Sequence, residues 1–498
     1  MAAGAIALSL ISHTNAGKTT LARTLLAQSV GEVRDAPHVT TDATPYPLID
    51  TPEGDTLILW DTPGFGDSAR LARRLRQQGN PIGWFLSQVW DRFRDRTFWL
   101  NQLAVGNVRD RADVVLYLVN ASEAPNDAGY LAPELAVLEW IGKPVIVLLN
   151  QTGPPRPRDE EAAAEARWRE ALGQWPCARA VLTLDAFARC WVQEFTLFET
   201  VDAVLAPEKR PAFARLDAAW HGRRMAQFDA AMEAIAAPIA RAACDRVVLP
   251  AASMRDKVVR AIGLARDVDG SAEAVAMRTL AGRFEADLHR STQQLITIHG
   301  LEGSAVGEVL ARLACDVRTD APVDEGKAAL MGGVVSGALT GVAADIASGG
   351  LTFGAGMLTG ALLGALGGAG IARGFNTLRG RTETVVRWDN VFLDGQIASA
   401  LLRYLAVAHH GRGRGEWRES EYPSFWRELV NDAMTAQRGT LAEIWDARAA
   451  DGATDRIALR VRALACGIAR TLFDELYPGA LDGGETADRV TARSRSPR

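Results

Sequence analysis

Residues 5–30 have the sequence AIALSLISHTNAGKTTLARTLLAQSV, and this stretch constrains the fold more than any other part of the chain. Its first seven residues form an apolar run of the kind found in a parallel strand that is covered on both faces. From Thr19 onward, apolar residues recur at helical spacing. A strand, a tight turn at residues 15–17 and a helix in this order direct backbone N–H groups and a helix N-terminus toward an anion. The sequence therefore predicts an α/β fold that opens with an anion-binding turn.

The turn carries most of a phosphate-binding motif. Residues 12–19 follow the pattern Gly-x-x-x-x-Gly-Lys-[Ser/Thr], except that Ser12 stands at the first glycine position. In this pattern Lys18 neutralises β- and γ-phosphate oxygens, and the Thr19 hydroxyl ligates Mg²⁺. An ordinary strand–turn–helix that binds no ligand is the alternative. The predicted nucleotide contacts of the turn are Asn15, Ala16, Gly17, Lys18, Thr19 and Thr20.

A second motif, TLILWDTPGFGD at residues 56–67, has the residues expected of a nucleotide switch. An apolar strand ends in Asp61, whose carboxylate can hold Mg²⁺ through water, as a Walker-B aspartate does. Gly64 can offer its N–H to a γ-phosphate and release that phosphate after hydrolysis. We therefore predict that both residues contact the nucleotide or its metal ion.

The loop at residues 37–47, PHVTTDATPYP, lies between the two motifs and is rich in threonine. Thr41, or else Thr40, would complete the Mg²⁺ shell when a γ-phosphate is present. The alternative is that both threonines are solvated turn residues that bind no metal ion. The predicted Mg²⁺ ligands are therefore Thr19, Thr41 and Asp61. The predicted catalytic residues are Lys18, Thr41 and Gly64.

Further apolar runs at residues 112–120, 144–150 and 178–184 predict additional buried strands. Strands that alternate with helices indicate a parallel sheet whose ligands bind at the carboxyl ends of the strands. We therefore predict an α/β P-loop NTPase domain over residues 1–205, with a mostly parallel sheet and helices on both faces.

In this order, the segments HTNAGKTTL, TT, DTPG and VLLNQTG resemble the motifs of small GTPases of the Era and tRNA-modification type, over residues 4–205. The resemblance implies binding of GTP and GDP and hydrolysis of GTP with Mg²⁺. It assigns Asn150 and Gln151 to the base, because NQTG stands where the family has Asn-Lys-x-Asp. Gly153 replaces the aspartate that grips the guanine N1 and N2 hydrogens, so a relaxed preference for GTP is expected.

The same resemblance bears on hydrolysis at two positions. Phe65 follows DTPG, where Ras-like enzymes carry the glutamine that orients the attacking water, so unaided hydrolysis is expected to be slow. Asn15 stands where K⁺-activated relatives have an asparagine, and in those relatives K⁺ takes the place of an arginine finger, usually after dimerisation. K⁺ stimulation and a homodimer through the GTPase domain are therefore implied, and an Asn15 that only caps the turn is the alternative.

Residues 66–111 form a long insert after the second motif, which is basic and contains Trp84, Trp90 and Trp99. The favoured interpretation is an amphipathic helical pair packed on the domain. Basic and aromatic residues together also suit RNA or a membrane surface. An arm that contacts a partner is therefore the alternative.

The rest of the chain is predicted to be mainly helical. Apolar residues at helical spacing fill residues 206–327 and 373–482, and residues 483–498 are typical of a disordered tail. Between the two helical regions, residues 328–372 hold a single charged residue, Asp345, and thirteen glycines. Many of these glycines recur every fourth residue, and such stripes let two helices pack closely, as is favoured in bilayers. This stretch therefore predicts a glycine-zipper hydrophobic hairpin.

The hairpin is a candidate membrane segment. Arg318 and Lys327 precede it and Arg373 follows it, which fits both of its ends lying in the cytoplasm. We therefore predict a chain attached to the cytoplasmic face of the inner membrane. A soluble hairpin buried in a helical domain, and hence a cytoplasmic chain, is the alternative.

A GTPase joined to a helical, glycine-zippered region is similar to bacterial proteins that carry an uncharacterised domain (DUF family 3482), a resemblance that implies no reaction or partner. The favoured function is a membrane-associated nucleotide switch. The second hypothesis is a nucleotide-binding scaffold, membrane pore or remodelling protein with negligible hydrolysis. The third is an Era-like factor associated with RNA or the ribosome.

Composition argues against several other classes. A net charge of −5 and a pI near 5.9 provide no global basic field, so nucleic acid is a disfavoured partner. The five cysteines are scattered and include no Cys-x-x-Cys pair, so the sequence suggests neither a disulfide framework nor a cysteine metal site.

Overall fold

The computed structural model describes residues 4–13, 16–26, 43–65, 68–77, 105–106, 108–153, 156–186, 190–249, 272–301, 375–379, 384–410, 423–449 and 452–481. The predicted hairpin at 328–372, the tail at 483–498 and most of the insert at 66–111 lie outside these residues. The described residues divide into two compact units. The first unit takes those of 1–226, 408–416 and 473–498, and the second takes those of 227–407 and 417–472.

The first unit is an α/β structure. Its strands are β1 (Ala5–Ser12), β2 (Thr44–Asp50), β3 (Thr56–Asp61), β4 (Val114–Asn120), β5 (Val145–Asn150) and β6 (Ala178–Thr183). Its helices are α1 (Lys18–Leu26), α2 (Ser68–Gln77), α3 (Leu131–Ile141), α4 (Arg158–Leu172) and α5 (Gln193–Val204). A 35-residue helix, α6 (Arg210–Cys244), follows and contributes residues to both units.

The six strands form one sheet in the order β2-β3-β1-β4-β5-β6. All neighbouring strands are parallel except β2, which runs antiparallel to β3. All six residues of β5 are buried, as expected of a strand covered on both faces. The predicted α/β domain with a mostly parallel sheet is therefore confirmed.

The edge strand β2 corrects one prediction. Residues 37–47 were predicted to be a loop, yet Thr44 to Pro47 pair with β3. Pro45 and Pro47 lack the N–H that a central strand needs, which concealed the strand in the sequence. An edge strand has a neighbour on one side only, so β2 tolerates both prolines.

The core of the first unit connects the sheet to its helices. One cluster of buried residues joins Tyr117 of β4 and Val147 of β5 to Leu135 of α3 and Trp168 of α4. Because side chains alternate along a strand, the intervening residues, such as Leu148, face the opposite side of the sheet, and they are buried as well. Both faces of the sheet are therefore covered, so a ligand can reach the sheet only at the ends of its strands.

The second unit is mainly helical, as predicted, and also contains a small sheet. Its other helices are α7 (Ala272–Ile298), α8 (Asn390–Ala408), α9 (Ser424–Ala436), α10 (Arg438–Asp446) and α11 (Ala453–Leu476), except that Ala408 and residues 473–476 are assigned to the first unit. Its strands are β7 (Arg246–Leu249), β8 (Phe375–Arg379) and β9 (Thr384–Trp388), which form an antiparallel sheet in the order β7-β9-β8.

The small sheet corrects a second prediction, because its three strands lie within residues 206–327 and 373–482, which were predicted to be helical. Strand β9 is the central strand of this sheet. The strand pairs with a neighbour on each side, and its Thr-Val-Val run suits a sheet. Trp388 at its end is fully buried and stacks on Phe392, with ring centroids 3.9 Å apart, while Phe284 meets it edge-on. Strand pairing and this aromatic cluster outweigh the local helical pattern.

Among the described helices, α8 alone is long and apolar enough to cross a membrane by length and composition. Of its most apolar stretch, 56% is buried within the protein, which is also true of ordinary core helices. Its composition is therefore weak evidence for a membrane span.

Candidate nucleotide-binding site

The turn between β1 and α1 is shaped around Gly17. This glycine has a φ of +89°, a conformation that L side chains rarely adopt. A Cβ at this position would lie 2.6 Å from Nδ2 of Asn150, which is too close for any real contact. Helix α1 begins at the next residue, Lys18, so the N-terminus of the helix faces the turn. Glycine is therefore required here both by the backbone and by the close approach of Asn150.

Lys18 is buried beside the turn, with 8% of its surface exposed. Its Nζ donates a hydrogen bond of 2.9 Å to Oγ of Ser12, the residue at the first glycine position of the motif. Burial lowers the pKa of Lys18, and the nearby carboxylates of Asp61 and Glu134 oppose that shift. A buried ammonium held by one neutral hydroxyl is well suited to exchange that partner for a phosphate oxygen.

Asp61 and Thr19 form the part of the site that suits a divalent cation. Oγ1 of Thr19 donates to Oδ2 of Asp61 at 2.7 Å. The other carboxylate oxygen, Oδ1, is buried and has no hydrogen-bond partner among the described residues. Burial raises the pKa of Asp61, against the opposing influence of Lys18 and Thr19. A buried oxygen without a partner beside a hydroxyl fits Mg²⁺, which prefers oxygen ligands and retains several waters.

Gly64 lies against Lys18, and Phe65 is locked into the core. A Cβ on Gly64 would lie 2.8 Å from Nζ of Lys18 and 3.4 Å from the carbonyl oxygen of Ser12. The N–H of Phe65 donates to that same carbonyl at 2.9 Å, and its side chain is fully buried. Phe65 offers no polar group to a water, so the side chain cannot orient one by hydrogen bonding.

Asn150 connects the phosphate-binding turn to the far end of the sheet. Its Nδ2 donates to the carbonyl of Ala16 at 2.7 Å, and its Oδ1 accepts from the N–H of Ala186 at 2.8 Å. Asn150 is fully buried at the end of β5. The next residue, Gln151, has a positive φ of 58° and is partly exposed.

The remaining predicted contacts fall into two groups. Thr20 is buried in the first turn of α1, where its carbonyl accepts from Oγ1 of Thr24 at 2.9 Å. Asn15 and Thr41, like Thr40, lie outside the described residues, so their predicted contacts with K⁺ and Mg²⁺ stay predictions. The structure thus brings together Ala16, Gly17, Lys18, Thr19, Asp61, Gly64 and Asn150 at the carboxyl ends of β1, β3 and β5.

A polar cluster behind the turn was missed by the sequence analysis. His13 Nδ1 lies 2.7 Å from Oε1 of Glu134, and the Tyr117 hydroxyl donates to Oε2 at 2.7 Å. His13 also stacks on Tyr130, with ring centroids 4.5 Å apart. Burial raises the pKa of Glu134, while His13 and then Tyr117 oppose that shift. No motif spans these positions, which are up to 121 residues apart, so only the fold unites them.

Two family models match separate parts of the chain. Residues 8–151 match the family model described as a 50S ribosome-binding GTPase, so the first unit contains a GTPase domain. Residues 169–454 match the family model described as domain of unknown function DUF3482. Because that match covers more than half of the chain, the protein belongs to the DUF3482 family. The predicted GTPase domain and the predicted DUF3482 domain are therefore confirmed.

Solved structures overlap with the chain only loosely. An Era variant from Aquifex aeolicus bound to GDP·AlF4⁻ is 18% identical, with a TM-score of 0.30, and the match covers 41% of this chain and 57% of that one. Era in complex with MgGDPNP and nucleotides of 16S ribosomal RNA is 15% identical, with a TM-score of 0.31, and the match covers 60% of this chain and 90% of that one. A structure of an oligomerised bacterial dynamin pair is 10% identical, with a TM-score of 0.25, and the match covers 97% of this chain and 77% of that one. A comparison with curated protein sequences found no match.

Proposed function

We propose that this protein is a GTP-binding switch that hydrolyses GTP slowly to GDP and phosphate and acts at a membrane. The observation that carries the proposal is the convergence of Lys18, Thr19, Asp61 and Asn150 at the carboxyl edge of one parallel sheet. The matching GTPase family model supports the GTP-binding part of the proposal.

The chemistry follows from what the residues can offer. Amides of the turn and the Lys18 ammonium would stabilise the charge that develops on the γ-phosphate. Thr19 and Asp61 would hold Mg²⁺, which supplies charge neutralisation at the phosphate oxygens when it is bound. Water attacks the γ-phosphorus, a new P–O bond forms, and GDP leaves with the bridging oxygen.

Hydrolysis should be slow without help, because Phe65 is buried and cannot hydrogen-bond a water. From the family resemblance at Asn15, we propose stimulation by K⁺ together with pairing of two GTPase domains. Single-turnover rates in matched K⁺ and Na⁺ buffers test this point. Equal rates in the two buffers would exclude K⁺ stimulation, while a dimer that forms only with K⁺ and a transition-state analogue would support it.

The central test is titration of the purified chain with fluorescent GTP, GDP and ATP, with and without Mg²⁺. We expect Mg²⁺-dependent binding that Lys18→Ala removes, since the ammonium is the main cation of the site. Lys143→Ala is the matched control, because Lys143 lies between α3 and β5, outside the predicted site. A wild-type chain that is folded but binds none of the three nucleotides would refute the proposal.

Membrane attachment is proposed from residues 328–372 alone. The glycine spacing and the single charge of that stretch support a helical hairpin in the bilayer. Carbonate extraction of cell membranes tests the proposal, since an inserted hairpin stays in the pellet. Deletion of 328–372 should then move the chain to the supernatant, and a wild-type chain found wholly in the supernatant would contradict insertion.

A nucleotide-binding scaffold with negligible hydrolysis is the second candidate, and the buried Phe65 favours it. The single-turnover experiment separates the two candidates. Measurable, Mg²⁺-dependent release of phosphate that requires Lys18 supports the switch. Tight binding without any release supports the scaffold.

A further inference from the structure

The loop that follows β5 lacks an acidic side chain for the base. Its residues are Gln151, Thr152 and Gly153, with glycine at the last position. Gly153 has a φ of +85°, and a Cβ built on it would meet no atom of the described residues within 4 Å. A base that presents N–H donors at this loop therefore needs an acceptor from another part of the chain.

Asp185 is a buried carboxylate directly beside this loop. It follows β6, the strand next to β5, and only 4% of its surface is exposed. Its Oδ2 accepts from the backbone N–H of Thr152 at 2.7 Å and from Oγ1 of Thr152 at 2.9 Å. Aspartate is rarely this buried without a specific partner or role. The Asp185 carboxylate therefore contacts Thr152, the residue directly before Gly153, where the loop has no carboxylate of its own.

Asp185 is also connected to the phosphate-binding turn. The next residue, Ala186, donates its N–H to Oδ1 of Asn150, and Nδ2 of Asn150 donates to Ala16 in the turn. Hydrogen bonds through Asn150 thus link the phosphate-binding turn to the backbone of Ala186, the residue next to Asp185. All of these residues belong to the first unit.

We propose that Asp185 is the residue that discriminates the base, accepting hydrogen bonds from the N1–H and 2-amino groups of a 6-oxo-2-aminopurine nucleotide. This assignment rests on the proposed nucleotide function and specifies its substrate class. A carboxylate has two oxygens with about four acceptor sites, so bonds from Thr152 are compatible with bonds from a base. Adenine presents an acceptor at N1 and only a C–H at position 2, so a carboxylate disfavours it.

The test is the affinity of wild type and Asp185→Asn for GTP, ATP, ITP and XTP, each measured with Mg²⁺ by calorimetry. Wild type should prefer GTP, and Asp185→Asn should lose roughly 10- to 100-fold in GTP affinity, the effect of removing a charged hydrogen-bond acceptor. The same variant should gain affinity for XTP, because an amide donates to the xanthine 2-oxo group and accepts from N1–H. ATP affinity should stay unchanged, since the triphosphate contacts are intact.

Two further variants separate base discrimination from support of the loop. Thr152→Val removes the hydroxyl bond and keeps the carboxylate, so it should keep the preference of GTP over XTP. The double variant Asp185→Asn/Gly153→Asp should regain GTP preference, because the Gly153 Cβ has open space and aspartate tolerates a positive φ better than most residues. Thermal melting of each variant checks that the fold is retained.

Three outcomes would contradict the assignment. Equal loss of affinity for all four nucleotides in Asp185→Asn, with no gain for XTP, would overturn the assignment and leave Asp185 as a loop support. Equal binding of all four nucleotides by wild type would overturn it as well, while leaving nucleotide binding intact. A wild-type chain that binds no triphosphate would refute the proposed function itself and this assignment with it.

Discussion

Substitution of Gly17 by alanine tests the geometry of the phosphate-binding turn directly. The added methyl group would lie 2.6 Å from Nδ2 of Asn150, on a backbone with a φ of +89°. Something must move, and Asn150 is fully buried with its amide held by Ala16 on one side and Ala186 on the other. We therefore expect the substitution to be costly even though alanine is the smallest possible change.

The magnitude follows from two contributions. An alanine with a left-handed φ costs about 1–2 kcal/mol. Displacement of the Asn150 amide breaks two buried hydrogen bonds at about 1 kcal/mol or slightly more each. The free energy of unfolding should therefore fall by about 3–5 kcal/mol. Because the turn also has to approach the phosphates closely, nucleotide affinity should fall by roughly 100-fold or more, about 2.8 kcal/mol.

Gly142→Ala is the matched control. Gly142 ends α3 with a φ of +75°, and in the part of the chain that the structure describes a Cβ on it would meet no atom within 4 Å. Gly142→Ala places alanine at a positive φ but creates no close contact like that between a Cβ at position 17 and Asn150. Its free energy of unfolding should therefore fall by only about 1–2 kcal/mol, and its nucleotide affinity should equal that of wild type. Chemical denaturation and calorimetric titration measure both quantities. Equal destabilisation by the two substitutions, or wild-type affinity in Gly17→Ala, would refute the role assigned to the Asn150 contact.

Three further predictions concern carboxylates of the first unit. Asp61→Asn should abolish the Mg²⁺ dependence of nucleotide affinity without lowering the thermal midpoint of the free protein, because burial already raises the pKa of Asp61; an unchanged Mg²⁺ dependence would contradict its role. The hydrogen bond from Arg215 lowers the pKa of Asp55 to about 2, so its stabilisation is present above pH ~4 and is lost as the pH falls through 2. Arg215→Gln should therefore melt below wild type at pH 7, and a gap that does not close between pH 4 and pH 2 would count against the ion pair. Burial raises the pKa of Asp217 to about 6, so the stabilisation from its neutral form is present below pH ~4 and is lost as the pH rises through 6. Asp217→Asn should be more stable than wild type by about 3 kcal/mol at pH 8 and equal to it at pH 4, as denaturation at the two pH values would show.

The parallel strands and the phosphate-binding turn could be predicted from sequence because their signals are local. An apolar run before Ser12 and a Gly17-Lys18 pair after it specify a strand, a turn and a helix within a few residues. Strands β2 and β9 could not be predicted in the same way. Their pairing partners, not their own composition, stabilise them, and the prolines of β2 suggest a loop.

The residues of the candidate site likewise fall into those that a motif predicts and those that only the fold brings together. Lys18, Thr19 and Asp61 follow from motifs. In the structure Thr19 donates a hydrogen bond to Asp61, and Lys18 donates one to Ser12. Asp185 and Glu134 have no motif to mark them. Each becomes visible only when the fold brings a buried carboxylate next to a loop from another part of the chain.

The hydrogen bonds of the second motif constrain where a nucleotide signal can leave the site. Oγ1 of Thr62 donates to the carbonyl of Leu10, and the N–H of Phe65 donates to the carbonyl of Ser12, so both residues are attached to β1. Both are also fully buried. In the proposed switch, a γ-phosphate that engages Gly64 would therefore act on a segment that is hydrogen-bonded to β1 on either side, and we expect a large response in the residues that follow Phe65. The insert begins at residue 66, so the position of Phe65 makes the insert the expected receiver of the signal.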